Sequence, residues 1–572
     1  MCIRDREGSV TFGDEVIPLP ALLQAARRGA HMVALQSGEL GLLPEDWLRD
    51  WAVFGELGRV EGERLRFGSS QVGLLDALLR SRPQVRFDRA FEALRSRLAG
   101  LGSDSLREVP EFRGELRPYQ REGLAWLASL RELGLGGCLA DDMGLGKTVQ
   151  VLALLAREVA GAKDASGRPT LVVAPLSVVF NWRREAERFA PALEPREYTG
   201  PDRRRALEGL DRRHLVLTTY GTLRRDAHEL SQVPFDTVVL DEAQAIKNPA
   251  SQVARAARLL RADHRLALSG TPVENHLGEL WSLFEFLNPG MLGSASGFRR
   301  WIQGAHGSAA LLGTALRPFL LRRTKERVVA ELPEKVEQVL DCELGPEERR
   351  LYGELRDHYR DALLPRAEDE GLGRMKIQVL EALLRLRQAA CHPGLVDPAR
   401  SAEPGAKLEV LLPLLAELRE RGHKALVFSQ FTKLLAIVRA ALERDEIPYE
   451  YLDGRTRKRE ERVRRFQEDP DCTAFLISLK AGGTGLNLTA AEYVFVLDPW
   501  WNPAVESQAI DRAHRIGQDR RVVAYRLIAR GTVEERIQEL KAGKRELAEA
   551  VLEAGEAPLA ALSAQDLARL FS

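Results

Sequence analysis

Three short strings carry side chains suited to one kind of chemistry. The first is Asp141-Asp-Met-Gly-Leu-Gly-Lys-Thr148, which follows the apolar run Gly137-Cys-Leu-Ala140 and opens a run of helix formers over residues 149–158. Strand, glycine loop and helix in that order turn backbone N–H groups and a helix N-terminus toward a polyphosphate. Met143, Gly144, Leu145 and Gly146 would form the cradle, Lys147 would reach the outer phosphates, and the Thr148 hydroxyl would ligate Mg²⁺. One position departs from G-x-x-x-x-G-K-[ST], because Asp141 stands where the first glycine belongs. A Gly-x-Gly-Lys-Thr string by itself also suits a plain glycine turn before a helix, so the weight lies in what accompanies it.

The second string is Asp241-Glu-Ala-Gln244, directly after Val-Val-Leu. An acidic pair at the end of a buried strand suits in-line phosphoryl transfer. Asp241 would hold Mg²⁺, through water or directly, and Glu242 would orient or activate the attacking water. The third string runs from Gln508 to Gln518 and contains Arg512 and Arg515. Three apart on an expected helix, they would share one face and suit a γ-phosphate presented by a neighbouring domain. A solvated basic helix face is the plainer alternative. Gln120 lies upstream of the phosphate loop, where a side-chain amide can read an adenine edge with paired donor and acceptor.

These strings need a frame to hold them. Short apolar runs alternate with helical stretches: Thr170-Leu-Val-Val-Ala-Pro175, a helix over 178–189, His214-Leu-Val-Leu-Thr-Thr-Tyr220, Thr237-Val-Val-Leu240 and Arg265-Leu-Ala-Leu268. That pattern predicts an α/β fold with a parallel, doubly wound sheet. Ligands of such sheets sit at the carboxyl ends of strands. Lys147, Thr148, Thr218, Thr219, Asp241, Glu242 and Ser269-Gly-Thr271 all fall there. A second α/β unit begins at Lys407, with strands at 424–429, 449–452, 473–478, 492–497 and 522–525 and no second Gly-Lys-Thr. Between the two, residues 290–405 read as helices at 298–301, 347–363 and 375–390 without strand alternation. Cys391-His-Pro393 reads as a helix-ending turn, because no second ligand pair accompanies it.

Residues 1–108 read as a mixed α/β accessory domain with short β-like runs at 10–20 and 31–43, a short helix at 44–51 and helical periodicity over 72–98. Trp47 and Trp51, four apart, read as a packing stripe. The remaining division is 109–289 for the first lobe, 290–405 for helical protrusions and linker, 406–545 for the second lobe and 546–572 for a helical tail.

Composition sets the limits. The chain has 572 residues, 45% hydrophobic and 29% charged, with a formal net charge of zero. Length alone suggests about three to four domains. With no global basic excess, any nucleic-acid surface must be local. The candidates are Arg455-Thr-Arg-Lys-Arg-Glu-Glu-Arg-Val-Arg-Arg465 and the cluster Arg317, Arg322, Arg323, Lys325 and Arg327. Five scattered cysteines without a C-x-x-C pair argue against a zinc ribbon or disulfide framework and fit a reducing cytosol. No apolar run reaches the ~18 residues of a membrane span, so no membrane partner is expected. The first residues hold no signal-peptide core and do not look like the start of a domain, which suggests a fragment.

The ordered strings resemble the Swi/Snf-type ATPases of helicase superfamily two, DNA translocases that include chromatin remodellers and bacterial HepA-like DEAD/DEAH-box proteins. The match covers most of the chain, from Leu116 to about Leu540. Leu116-Arg-Pro-Tyr-Gln120 resembles the adenine-reading motif, and the family's own phosphate loop also lacks the first glycine. Asp241-Glu-Ala-Gln244 resembles motif two, Ser269-Gly-Thr-Pro272 motif three, Phe428-Ser-Gln-Phe431 motif four, and Ser478-Leu-Lys-Ala-Gly-Gly-Thr-Gly-Leu-Asn487 motif five. Asp498-Pro-Trp-Trp-Asn-Pro503 and the Gln508 string complete the set.

The resemblance implies two RecA-like lobes with ATP and Mg²⁺ in the cleft between them. It implies Lys147 on the β/γ-phosphates, Thr148 and Asp241 on the metal, Glu242 and Gln244 in the catalytic set, and Arg512 and Arg515 as fingers. It also implies duplex DNA near Thr218, Thr219, Lys480 and Thr484. The activity expected is DNA-dependent ATP hydrolysis coupled to translocation on duplex DNA, remodelling or displacing a bound protein. A strand-separating helicase is the enzymatic alternative, and a non-hydrolysing nucleic-acid scaffold the alternative of another class. A cytoplasmic, nucleoid-associated monomer of bacterial origin completes the expectation.

Overall fold

The computed structural model describes residues 3–6, 9–12, 14–18, 22, 25, 32–35, 37–43, 54, 57–61, 64–79, 89–102, 106, 108–161, 167–270, 278–303, 309–328, 333–370, 372–479, 486–500, 503–515, 517–539 and 569–570. The expected helix at 44–51 with Trp47 and Trp51, and the tail beyond 540 apart from 569–570, lie outside these residues. The chain divides into two compact units, with the main boundary between Arg323 and Thr324.

The first unit is built on a seven-stranded sheet. Its strands are β1 (Gly137–Leu139), β2 (Thr170–Ala174), β3 (Glu194–Glu197), β4 (His214–Thr219), β5 (Pro234–Asp241), β6 (Arg261–Leu268) and β7 (Leu320–Leu321). They lie in the order β3-β4-β2-β5-β6-β1-β7, and every pair is parallel. Parallel neighbours need crossover connections, which helices supply on the faces of the sheet, so central strands are apolar on both sides. Leu171, Val173, Leu215, Val216, Val238, Val239, Leu266 and Leu268 accordingly have no exposed surface. Each such side chain contributes roughly 1.5–3 kcal/mol by leaving water.

Register decides where the chemistry sits. Leu268 pairs with Asp241 on one side and Leu139 on the other, so β1, β5 and β6 end level. The phosphate loop, Glu242 and Ser269 therefore leave the sheet at the same height.

The N-terminal part adds two hairpins, Ser9–Phe12 with Glu15–Pro18 and Met32–Ala34 with Leu40–Leu42, where β-like runs were expected. A three-stranded sheet of Ile3–Arg6, Arg64–Phe67 and Arg59–Glu61 joins them. Helices occupy Val72–Leu79 and Arg89–Ala99. A Cβ on Gly73 would stand 2.8 Å from the Ala315 carbonyl, so glycine is what lets the first of these helices lie against helix Ala309–Leu316.

The second unit has a six-stranded, all-parallel sheet. Its strands are β8 (Lys335–Cys342), β9 (Ala425–Ser429), β10 (Tyr449–Leu452), β11 (Ala474–Ser478), β12 (Tyr493–Val496) and β13 (Val522–Ala529), in the order β8-β13-β12-β9-β11-β10. Alternate residues enter opposite cores. Ala425 and Val427 join the cluster with Leu411, Leu415 and Leu434, while Leu426 and Phe428 join the one with Phe466, Ile510 and Ala513. Both faces are thus covered, and the two sheets are those of RecA-like lobes.

Three strands depart from expectation: β3, and β7 and β8 within residues 290–405. Residues 290–405 read as helical without strands, yet β8 lies inside that span and pairs with β13 from Lys335↔Val522 to Cys342↔Ala529. It is an edge strand whose outward positions carry Glu337, Gln338 and Asp341, so its apolar signal is diluted. Charge holds it in place: Arg526 Nη2 meets Glu337 at 2.6 Å and Arg530 Nη2 meets Asp341 at 2.8 Å. The expected helices are present as Ala295–Gln303, Pro346–Glu370 and Leu372–Cys391. The last ends where expected, and His392 caps the turn that follows by accepting the Gly394 N–H at 3.0 Å. Among the described residues, no helix is long and apolar enough to cross a membrane.

Candidate functional site

The phosphate loop leaves β1 and enters helix Lys147–Ala160 through two left-handed residues, Gly144 at φ +87° and Gly146 at φ +76°. A side chain there would be strained, which explains the glycine spacing. Met143 and Leu145 are buried beneath the loop, and Lys147 and Thr148 are half-buried at the helix start. The Lys147 ammonium donates to the Asp141 carbonyl at 2.6 Å, so the cation is held over the loop from its own first residue.

Asp141 itself is fully buried. Its carboxylate takes Arg323 Nε at 2.9 Å and Nη2 at 2.5 Å, and Gln150 Nε2 at 3.3 Å. Arg323 also donates to Gln150 Oε1 at 2.8 Å and to the Tyr119 carbonyl, with its guanidinium 5.2 Å from the Tyr119 ring centre. Gly123 makes room for this cluster, because a Cβ there would stand 1.9 Å from Gln150 Oε1. Gln120, beside Tyr119, is buried at the start of helix Pro118–Glu132 and accepts the Arg117 N–H at 2.9 Å.

At the end of β5 the acidic pair turns sharply. Glu242 has φ +52°, unusual for a residue with a side chain, and strain of this kind collects at functional sites. Asp241 is held from two sides: the Trp182 indole N–H donates to Oδ2 at 2.8 Å and the Glu242 N–H to Oδ1 at 2.9 Å. The Tyr220 hydroxyl fixes the Asp241 carbonyl at 2.7 Å. Burial, and then the Glu242 charge, push the Asp241 carboxyl up to about 6; Trp182 and Lys147 act the other way. A buried carboxylate pair of this kind favours a cation beside it. Glu242 Oε2 accepts Gln244 Nε2 at 2.9 Å, and Gln244 Oε1 accepts the Ser269 hydroxyl at 3.2 Å. A relay of three side chains thus joins the end of β5 to the end of β6.

The two threonines at the end of β4 differ. Thr218 is buried and donates to the Tyr198 carbonyl at 2.9 Å, whereas Thr219 is half-buried and caps helix Tyr220–Arg225. Of the pair, only Thr219 presents surface to a ligand. Lys480 and Thr484 lie outside the described residues, as do Thr271 and Pro272 of the string after β6.

In the second unit, Arg512 and Arg515 do not share a helix as expected. Helix Pro503–Ile510 stops before both. The Arg512 and Ala513 N–H groups tighten onto residues three back, and the Arg512 carbonyl accepts the Leu488 N–H at 3.1 Å, which opens the helix into a turn. Arg512 is 2% exposed, while Arg515 is half-buried and donates to the Leu486 carbonyl at 3.2 Å. The turn is fixed by Lys325, whose ammonium meets Asp511 at 2.7 Å and the His514 carbonyl at 2.6 Å.

The basic clusters are thinner than their sequences suggest. Arg323 and Lys325 are buried in the ion pairs just described, and Arg317, Arg322 and Arg327 remain exposed. In the other cluster, Arg462 and Arg465 neutralise the buried Glu450 at 2.9 and 3.1 Å, and Arg455, Arg457, Lys458 and Arg464 face outward.

The motif reading passes over Trp182 and assigns Arg323 to a basic surface cluster instead of to Asp141. Each touches a key carboxylate from 59 and 182 residues away. The available signals were a tryptophan in an otherwise polar helix stretch and an aspartate in a glycine's place that needs a cation.

The sequence is similar to that of several known proteins. Residues 119–395 match the family described as SNF2-related domain, and residues 406–517 match Helicase conserved C-terminal domain. The "Putative ATP-dependent helicase/translocase YwqA" of Bacillus subtilis is 41% identical over 484 residues, covering 81% of this chain and 51% of that protein. "Nuclear protein STH1/NPS1" of Saccharomyces cerevisiae is 36% identical, covering 77% of this chain and 35% of its own length. "TATA-binding protein-associated factor MOT1" of the same yeast is 33% identical, over 80% and 28% respectively. The chain spans about half the length, or less, of these curated relatives. Among solved structures, the "Sulfolobus solfataricus SWI2/SNF2 ATPase core in complex with dsDNA" is 35% identical over 82% of this chain and 99% of that one, with a TM-score of 0.40.

Proposed function

This chain belongs to the Swi2/Snf2 family, and from that premise we propose that it hydrolyses ATP to drive translocation along duplex DNA, remodelling or displacing a bound protein. The observation that carries the reading is the level ending of β1, β5 and β6, which brings the phosphate loop, the Asp241-Glu242 pair and the Gln244–Ser269 relay out of one sheet together.

In this reading Met143 to Gly146 cradle the phosphates, Lys147 holds the β/γ-phosphates and Gln120 reads the adenine. Thr148 and Asp241, hard oxygen donors of the kind magnesium takes, would hold the metal, which would neutralise charge on the transferring phosphoryl group. Glu242 positions the attacking water. The left-handed turn at Glu242 and the amide of Gln244 set its direction, so little reorganisation is needed during reaction. Arg512 and Arg515 supply positive charge to the γ-phosphate once the second lobe closes. Hydrolysis then requires closure, and alternating closure can step along a backbone. Duplex DNA runs by Thr219, Lys480 and Thr484, with Thr218 as buried support and the exposed arginines as phosphate contacts. The relatives' names, helicase/translocase and TATA-binding protein-associated factor, support a DNA-bound protein as the target. The protein would work as a cytoplasmic, nucleoid-associated monomer.

The experiment is steady-state ATP hydrolysis with no nucleic acid, single-stranded DNA, duplex DNA and duplex RNA. Stimulation by duplex DNA alone is the expected result, with turnover abolished in Lys147→Ala and Glu242→Gln. Stimulation only by single strands would replace translocation by strand separation. Nucleotide binding without hydrolysis under every condition would leave a scaffold.

A further inference from the structure

We propose that Arg323 and Lys325 are positioning residues at the two ends of a three-residue strap, one setting the phosphate loop and the other the arginine turn. The proposal rests on the nucleotide site assigned above and deepens it.

The first anchor lies in the first unit. Arg323, 9% exposed, donates to both oxygens of the fully buried Asp141, to Gln150 and to the Tyr119 carbonyl. One guanidinium thus joins the adenine-reading segment, the start of the phosphate loop and the helix behind it. Asp141 passes the constraint on, because its own carbonyl holds the Lys147 ammonium at 2.6 Å. The planar fork of arginine suits this; a lysine point charge cannot bond two carboxylate oxygens in parallel.

The second anchor lies in the second unit. Lys325, 7% exposed, holds Asp511 at 2.7 Å and the His514 carbonyl at 2.6 Å. Those residues flank Arg512 and precede Arg515. The anchors are separated by Thr324 alone, a tether of at most about 7 Å between their Cα atoms. So short a tether has no slack to take up. A buried ion pair is often replaceable by apolar groups at little loss of stability. If these pairs serve only the core, removing both charges of a pair should leave nucleotide handling as it was.

The test uses the full chain and two double variants, each of which removes both charges of one pair: D141L/R323M and K325M/D511L. Binding of a fluorescent ATP analogue gives Kd, and turnover at saturating ATP and duplex DNA gives kcat. Expected for D141L/R323M is a Kd raised at least about tenfold, the worth of one hydrogen bond to a charged group. Expected for K325M/D511L is a Kd within about twofold of wild type and a kcat lowered at least about tenfold. If both doubles match wild type in Kd and kcat, the strap is only structural and the proposal falls. It falls as well if both change kcat alone. Should a double fail to fold by thermal melting, R323K, which loses the fork, or D511N, which loses the charge that Lys325 holds, takes its place: each is expected to reproduce the loss assigned to its anchor, and unchanged values overturn the proposal. A wild type that neither binds nor hydrolyses ATP would instead overturn the nucleotide site itself.

Discussion

Replacing Gln244 by alanine takes away the amide that donates to Glu242 Oε2 at 2.9 Å. A hydrogen bond to a charged group contributes about 1.5–3 kcal/mol. If that bond is what aims the Glu242 carboxylate, its loss falls on the barrier to hydrolysis, and kcat drops by roughly 10- to 100-fold. Binding should not change, because the substitution leaves Lys147 and its hold on Asp141 as they are. Ser269→Ala removes a neutral bond at 3.2 Å, worth about 0.5–1.5 kcal/mol, so kcat drops by only roughly 2- to 12-fold. The two bonds lie in series, serine on glutamine and glutamine on glutamate. The double variant should therefore be no slower than Gln244→Ala alone, since Ser269 acts only through the amide. Duplex-stimulated turnover and nucleotide titration on the three variants supply every number. A Gln244→Ala protein that keeps more than half of wild-type kcat would refute the aiming role. A double variant whose losses multiply would refute the series arrangement.

Three further outcomes are expected. Arg515→Ala should retain ATP affinity and lose hydrolysis, because the phosphate loop stays intact; lost nucleotide binding by titration would count against its role as a finger. His264 is buried on β6 with neither ring nitrogen hydrogen-bonded, and burial, then Arg131, push it down to about 3. The folded chain holds it neutral while the unfolded chain binds a proton below about 6.5, so stability is full above that pH and falls progressively toward 3. At pH 5.5 the loss is about 1.4 kcal/mol relative to His264→Leu, read from denaturant melts of both proteins at pH 7.5 and 5.5. Lys407 and Glu534 form a fully buried ion pair at 2.6 Å, so Lys407→Met strands a carboxylate and should cost about 3–5 kcal/mol. Adding Glu534→Leu should recover much of that in the same melts.

Both sheets were largely legible because buried parallel strands are plain apolar runs. Thr170–Ala174 and Ala474–Ser478 are buried at every residue, and no helix-forming period competes there. The phosphate loop, the acidic pair and Ser269 were legible for a different reason: each follows such a run directly, and register then brings their ends level. The edges escaped. β3 and β8 are paired on one side only and carry charged residues outward, so composition does not mark them. The end of helix Pro503–Ile510 escaped because it is set by a carbonyl taken by Leu488, a contact no local pattern contains. The Asp141–Arg323 pair escaped in the same way, with 182 residues between partners. What the spacing rules missed is tertiary in origin, and it concentrates around the side chains that aim the chemistry.

Strand β8 has a practical consequence for anyone dividing this polypeptide. Its pairing partner β13 is the last strand of the sheet in chain order, while β8 comes before the long helices Pro346–Glu370 and Leu372–Cys391. Those helices are therefore an excursion that begins and ends on one sheet, stitched back where the Val533 N–H meets the Tyr352 hydroxyl at 2.6 Å. A shortened chain starting at residue 406, where the helicase C-terminal match begins, would discard β8 and leave eight residues of β13 with an open row of backbone donors and acceptors. Such an edge recruits other chains, and the expected fate of that fragment is self-association. A fragment starting before Lys335 keeps β8, whose Glu337 and Asp341 place charge on that edge, so the natural seam of the molecule lies some seventy residues upstream of where homology alone would cut it.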